Sequence, residues 1–417
     1  MSAKTEPNRT AIVIGGGIAG CSTAYALAQR GIKVTLLERN LGIAGEASGN
    51  PIAMLYPRLS GDDASSQFAL AAYLHSMALF KTLGLPAADF NTCGMLQLGF
   101  NARESARIQK VAAQGHATSV IQYVDNTVAS NVAGISIEHA ALYLPGAAWV
   151  KPQQLCRRLS QHKNISILTS KNVFQILKPD DLFEVHSDEN TVIKSDVVVI
   201  ANANAAQQLC PYQALLTQAV RGQVSLLKPG NTSRSLKTIV CSDGYFSPAA
   251  YQQGGEHLHC LGATFANVAA ATDRQSDLII TEQDHLANLD KLNNISPKLH
   301  ADLRNNVVNG RVSLRCNATD YWPLAGQLLN ASILKAKPPR AGAAVNTLPW
   351  VSGLYMNIAH GSKGFTTAPL CAELIACMVA NAALPISGKL AGLLNPNRFL
   401  LKEMGLKRLA KMAPVSS

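Results

Sequence analysis

Apolar positions alternate along the chain between short unbroken runs and longer stripes at helical spacing. The first run, residues 11–14, leads through a glycine cluster into a small-residue stretch, 21–30, that reads as a helix. A second run, 34–37, ends in Glu38. A Gly/Ala/Ser-rich loop follows at 42–50, then a long helical stripe at 64–83. Residues 92–100 alternate like a strand around Gly94, and 102–114 read as a surface helix. The texture then turns β-rich, with 142–145 running into Trp149 before Pro152 opens another helix from its first turn. Residues 165–168 read as a strand, and 196–200 as one buried on both faces of a parallel sheet. A second β-rich block holds predicted strands at 220–227, 245–251 and 257–263 and a helix at 281–292. After 311–315 the chain passes Asp320-Tyr321-Trp322-Pro323, then a strand at 350–358, a glycine loop at 360–366 and a helix from 368. The pattern predicts an α/β fold in which one unit, 1–90 with 145–215 and 311–417, is interrupted by a β-rich unit of 91–144 and 216–310.

At 417 residues the chain can bury two cores, and 47% hydrophobic with 15% charged residues fits a soluble globular enzyme. The longest apolar stretch, 370–386, is broken by Glu373, Asn381 and Pro385, which predicts a buried helix and no membrane span. Nine scattered cysteines without a CxxC pair predict free thiols and a cytoplasmic setting. Ten histidines without close pairing give no metal site. The net charge of +11 favours a polyanionic partner. Residues 400–412 carry Lys402, Lys407, Arg408 and Lys411 at the spacing of a basic amphipathic helix, which serves equally as a solvated terminal face or a nucleic-acid contact.

The most specific chemistry lies at Gly15-Gly16-Gly17-Ile18-Ala19-Gly20, between the first strand and the first helix. Such a turn aims backbone N–H groups and the positive end of a helix dipole at a pyrophosphate. Gly15 makes the turn, Gly17 admits the ligand to the backbone, and Gly20 lets helix and sheet approach. Eighteen residues after Gly20, Glu38 is placed to accept from a ribose diol. The reading is therefore an adenine dinucleotide site. Ile18-Ala19-Gly20-Cys21 after Lys4 and Arg9 also resembles the lipid-attachment box of a bacterial lipoprotein signal, but the short apolar segment and the strand that follows favour the cofactor. There is no second Gly-x-Gly-x-x-Gly for a nicotinamide, so a flavin reduced by an organic substrate is expected.

Several further segments carry a resemblance. They are Gly45-Glu46-Ala47-Ser48-Gly49-Asn50, Arg221-Gly222-Gln223, Asp243-Gly244-Tyr245-Phe246-Ser247-Pro248, Arg311-Val312-Ser313-Leu314-Arg315-Cys316 and His360-Gly361-Ser362-Lys363-Gly364, with the ending Asn395-Pro396-Asn397-Arg398-Phe399. Together they resemble the FAD enzymes that include glycine oxidase, sarcosine oxidase and D-amino acid oxidase, and among them the oxidoreductase half of the bifunctional tRNA-modification family MnmC. The resemblance implies a Rossmann-like FAD-binding domain with an inserted β-rich substrate domain of the D-amino acid oxidase type. It implies oxidation of the carboxymethylaminomethyl group of a tRNA wobble uridine, with FAD as cofactor and molecular oxygen as electron acceptor. Glyoxylate and an aminomethyl-uridine are the implied products, and a small-molecule glycine, sarcosine or D-amino acid oxidase is the alternative. The family's full-length form carries a methyltransferase half, whereas this sequence starts at the FAD fingerprint, so it reads either as a stand-alone version or as a separately produced half whose methyltransferase domain or partner is missing from this chain. Two departures stand out: residues 51–54 lack an expected glycine, and Lys363 stands where arginine is common.

The resemblance assigns the substrate carboxylate to Arg315, whose planar fork fixes orientation as well as charge. Tyr245 is a second pocket candidate, equally readable as a packed strand tyrosine. Arg221 and Arg311 are each a strand-end ion pair or a phosphate contact. His360 is either a flavin contact or structural, and Cys316 is a buried thiol ahead of a covalent flavin link. Gly361, Ser362, Lys363, Gly364, Phe365 and Thr366 are expected to offer backbone donors to the flavin ring. Ala47, Ser48, Gly49 and Asn50 join Gly15, Gly17, Ile18, Ala19, Gly20 and Glu38 in the cofactor set, and the resemblance adds Arg39, Val173 and Ala201.

Overall fold

The computed structural model describes residues 9–188, 190–210, 213–268, 276–340 and 342–414. The strand Thr10–Ile14 lies at the centre of a six-stranded sheet. On one side it pairs in parallel with Lys33–Leu37 and through it Ile165–Leu168, and on the other with Val197–Ile200 and through it Trp350–Ile358. The antiparallel strand Leu324–Leu329 closes the far edge. The central strands are buried on both faces, as their unbroken runs of Val and Ile require. One face is covered by the helices Ile18–Ala28, Ala64–Thr82, Pro152–Ser160 and Gly364–Val379. The other carries a small antiparallel sheet of Val173–Leu177, Phe183–Ser187 and Thr191–Ser195. Glycines and alanines on Ile18–Ala28 allow close approach to the sheet, and Cys21 is buried inside that helix.

A ten-stranded mixed sheet draws its strands from the predicted β-rich blocks and from the long strand Val307–Ala318. That strand pairs antiparallel with Thr217–Leu227 over nearly its whole length, placing Val220 opposite Arg315 and Gly222 opposite Ser313. Because it runs out of this sheet towards the glycine loop, it carries its side chains from one sheet to the edge of the other. An isolated bridge between Asn317 and His360 joins the two.

Several predicted elements are corrected. Residues 400–412 are not one helix: Arg398–Glu403 ends at Gly405, whose φ of +77° and whose neighbour's bond from Leu406 N–H to Leu401 O form a glycine C-cap, and only a short 3₁₀ turn follows at Leu409–Lys411. Tyr245–Phe246 and Tyr251–Gln253 are separate strands, interrupted at Ser247-Pro248. The helix expected from 368 starts at Gly364, so Pro369 is its sixth residue, past the first turn, where it forgoes the i→i−4 bond to Phe365 O. The predicted helix at 281–292 is Glu282–Asp290, continued by a 3₁₀ turn Lys291–Asn294. All nine cysteines are free, eight of them buried. Among the described residues no group of His, Cys, Asp or Glu could hold a metal ion, and no helix is long and apolar enough to cross a membrane.

Candidate active site

The glycine turn is built as tightly as its sequence implies. Gly15 has φ +106°, and its N–H donates to Leu37 O at 2.7 Å. A Cβ on Gly15 would fall 2.7 Å from Ala201 O, and one on Gly20 would fall 1.7 Å from Gly15 O. Gly17 is extended and leaves the N-terminus of Ile18–Ala28 facing open space beside Ser48. The Ile18 N–H donates to Ser48 Oγ at 2.9 Å, so the serine of the 45–50 loop is fastened to the turn itself. Glu38 is buried: Oε2 accepts from Gly16 N–H at 2.7 Å and Oε1 accepts from Asn40 N–H at 2.8 Å. The Asn40 side-chain amide also donates to Oε1 at 2.7 Å, so Oε2 is the oxygen that keeps a lone pair for a further donor. The turn therefore fits a dinucleotide, because side chains are excluded where a pyrophosphate must approach and an anchored acid stands at the adjacent strand end.

Arg311 holds the neighbouring loop. Its guanidinium donates to Gly45 O at 2.8 Å, Glu46 O at 2.7 Å and Asn50 Oδ1 at 3.0 Å. A Cβ on Gly49 would meet that guanidinium at 2.6 Å, which accounts for the glycine. Arg221 is an ion pair, bonded to Asp284 at 2.5 Å and to the Asp277 and Ile279 carbonyls. Of the two readings open for each arginine, these contacts favour the structural one.

A cavity of about 540 Å³ lies between the two large sheets. Its wall brings together Gly17, Ile18, Ala19, Ala47, Ser48, Asn50 and Ala201 on the cradle side, the loop from His360 to Phe365, and Tyr245 with Arg315 on the β-rich side. Gly15, Gly20, Glu38, Gly49 and Thr366 do not line it. Arg39 is exposed and paired with Glu46, and Val173 is buried in the small core on the other face of the parallel sheet, so neither lines the cavity.

Arg315 is only 7% exposed, and among the described residues no carboxylate lies within ion-pair distance of it. Its contacts are one long bond to Thr264 O at 3.3 Å and the face of Phe265, 4.4 Å from the guanidinium carbon. The glycine at 222 makes room for it, since a Cβ there would fall 2.4 Å from the guanidinium. Burial lowers the pKa of Arg315, yet arginine stays charged. Beside it, burial raises the Tyr245 phenol well above its ordinary value, with Cys260 adding to the effect, so Tyr245 is a neutral donor. A buried, charged fork with no acid partner among the described residues, lining a cavity next to a phenol, has the charge and geometry to take a carboxylate.

His360 donates from Nε2 to Asn357 Oδ1 at 2.9 Å and accepts at Nδ1 from Thr367 at 3.0 Å. Burial lowers its pKa to about 3, so the imidazole is neutral and ties strand 350–358 to the following helix. Lys363 opens into the cavity, where enclosure and then the Arg58 guanidinium lower its pKa. Burial pushes the Cys316 thiol up to about 12, which keeps it protonated. Sequence reasoning missed Tyr56, Arg58, Arg103, Glu104 and Phe265, all of which line the cavity, and it quoted Asp243 only as the start of the 243–248 segment, with no role. They come from loops and a helix start with no motif of their own, so no local signal marked them.

Residues 10–378 match the family model described as FAD dependent oxidoreductase. The chain is 40% identical over 403 residues to the tRNA 5-methylaminomethyl-2-thiouridine biosynthesis bifunctional protein MnmC of Methylobacillus flagellatus, covering 96% of this chain and 61% of that protein. It is 38% identical over 406 residues to the protein of the same name from Pseudomonas savastanoi, covering 94% and 59%. It thus spans about three-fifths of the length of these curated relatives. Among solved structures, glycine oxidase from Geobacillus kaustophilus superposes with a TM-score of 0.71 at 18% identity, covering 90% of this chain and 96% of that one. L-proline dehydrogenase from P. horikoshii gives 0.73 at 18%, covering 96% and 99%. At these identities the structures establish the fold alone.

Proposed function

The chain belongs to the family of FAD dependent oxidoreductases, and on that premise we propose that it oxidises the carboxymethylaminomethyl group of a tRNA wobble uridine, releasing glyoxylate and leaving an aminomethyl-uridine. FAD, held by the cradle at residues 15–20, Glu38, the 45–50 loop and the 360–366 loop, would supply the acceptor for the hydride that leaves the glycine-like carbon, with oxygen as the final acceptor. Residues 1–90, 145–215 and 311–417 would form the cofactor domain, and 91–144 with 216–310 the substrate domain, with the strand Val307–Ala318 of the ten-stranded sheet crossing the boundary at 311.

The observation that carries this reading is Arg315. Its fork would take both oxygens of the substrate carboxylate, and the Tyr245 hydroxyl would donate to the same group. Fixing the carboxylate fixes the adjacent carbon, which converts a chance encounter into a held geometry. The N-terminus of the helix Gly364–Val379 directs backbone donors into the cavity, where they would stabilise negative charge developing on the bound ring. His360 would act through position, holding strand and helix in register at the ring. The proposed setting is the cytoplasm, and the relatives' description as bifunctional supports a methyltransferase unit acting after this one.

A small-molecule oxidase would use Arg315 and Tyr245 in the same way. The purified chain incubated with tRNA from cells lacking the activity separates the two. Conversion of the carboxymethylaminomethyl nucleoside to the aminomethyl form, with stoichiometric glyoxylate, is expected by nucleoside mass spectrometry. Unchanged tRNA together with rapid anaerobic flavin bleaching by sarcosine would establish the small-molecule oxidase instead.

A further inference from the structure

The same cavity is lined by charged and aromatic side chains besides Arg315 and Tyr245. Its wall carries four cations, Arg58, Arg103, Arg315 and Lys363, against two acids, Glu104 and Asp243. Glu104 is already shared: Oε1 accepts from Arg58 at 2.7 Å and Oε2 from Arg107 at 2.7 Å. Burial pushes that carboxyl up, but Arg107 and Arg58 outweigh it and hold it ionised below its ordinary range. Two guanidinium groups around one carboxylate leave a net positive charge there. Arg103 and Lys363 stand exposed nearby on the same wall. A substrate carboxylate on Arg315 neutralises one cation, Arg58 shares Glu104 with Arg107, and Arg103 and Lys363 have no carboxylate within ion-pair distance among the described residues, with Asp243 the one other acid on the wall.

The wall also holds a ring out of place for a core. Phe265 is 60% exposed, although it lines a cavity and covers Arg315. Half-buried Phe100, just ahead of the helix Ala102–Ala112 that bears Arg103, lines the same cavity. An exposed aromatic face beside unmatched cations is what a nucleotide recognises: bases stack on rings, and phosphates seek fixed positive charge.

We propose that the outer half of the cavity is a nucleotide vestibule, in which Phe265 stacks the base that carries the oxidised side chain and Arg58, Arg103 and Lys363 take its flanking phosphates. This deepens the proposed function and rests on it. The vestibule would select an amine borne on a nucleic-acid strand over the same amine on a small molecule, while Arg315 alone would accept both.

The test uses the FAD-loaded full chain and anaerobic stopped-flow flavin reduction with three substrates: sarcosine, the free 5-carboxymethylaminomethyl nucleoside, and its 3′,5′-bisphosphate. Reduction efficiency is expected to rise about tenfold from sarcosine to nucleoside through stacking, and about tenfold again to the bisphosphate through charge-assisted contacts. Arg103→Glu should bring the bisphosphate-to-nucleoside ratio close to one, and Phe265→Ala should cut the nucleoside-to-sarcosine ratio about tenfold, with Phe265→Tyr restoring it. In the unaltered protein, added salt should depress the bisphosphate rate far more than the nucleoside rate, a readout that needs no variant. A bisphosphate no better than the nucleoside, or ratios that do not move in these variants, would overturn the vestibule. If tRNA is oxidised yet the ratios stay flat, only the vestibule fails; if tRNA is inert while sarcosine reacts, the proposed function itself fails.

Discussion

Replacing Arg315 by methionine separates what this residue does for the reaction from what it costs the fold. The guanidinium is 7% exposed and has one 3.3 Å bond to a carbonyl and an aromatic face, with no carboxylate in ion-pair range among the described residues. A buried cation so weakly compensated is a burden on the free protein, and an apolar side chain of similar length should stabilise it by about 1–2 kcal/mol. For a chain of this size that raises the melting temperature by about 1–3 °C. The reaction should suffer in the opposite sense. Two charge-assisted hydrogen bonds to the substrate carboxylate contribute about 3–6 kcal/mol together, or roughly 10²–10⁴ in kcat/KM. The assay is glyoxylate release from modified tRNA at matched flavin content, run beside thermal unfolding. An analogue whose carboxylate is replaced by methyl completes a double-mutant cycle, and both proteins should treat it alike within about threefold. Glyoxylate release that drops by less than about threefold, or a variant that melts well below the parent, would refute the carboxylate receptor.

Three further outcomes follow from the geometry. Gly20→Ala puts a methyl 1.7 Å from Gly15 O, so the purified protein should hold little flavin and unfold earlier, by at least about 3 kcal/mol in a urea titration. Arg311→Ala frees the 45–50 loop from three hydrogen bonds and should weaken FAD binding about tenfold or more in a flavin fluorescence titration, with the Arg315 chemistry recovered at saturating cofactor. The His360 imidazole takes a proton near its ordinary value of 6.5 in the unfolded chain but only near 3 when folded. The unfolded state therefore binds more protons between those values, and stability should fall as pH drops through that window. Denaturant midpoints at pH 7 and pH 5 should show a steeper loss for the parent than for His360→Gln.

Local chemistry made much of this protein readable from its sequence. The strand–glycine–helix turn, the acid after the second strand and the small-residue first helix depend on residues close in the chain, because steric exclusion at Gly15 and Gly20 acts over a few bonds. Those features, with the 45–50 and 360–364 loops, pointed to the family and fold that the comparisons bear out. Breaks at Gly405 and at Ser247-Pro248 were also local, and their residues carried the signal even though the helical and strand rhythms around them hid it. What only the tertiary structure decided is which charges meet. Arg221, Arg311 and Arg315 have similar strand settings, yet Asp284 neutralises the first, loop carbonyls occupy the second, and the third is left facing the cavity. That difference arises from chain segments dozens to hundreds of residues apart, through electrostatics and close packing that no local pattern encodes. The outer cavity wall, with Phe265 exposed and Glu104 shared between two arginines, belongs to the same class: its residues come to line one cavity only because the tertiary fold brings distant chain segments together.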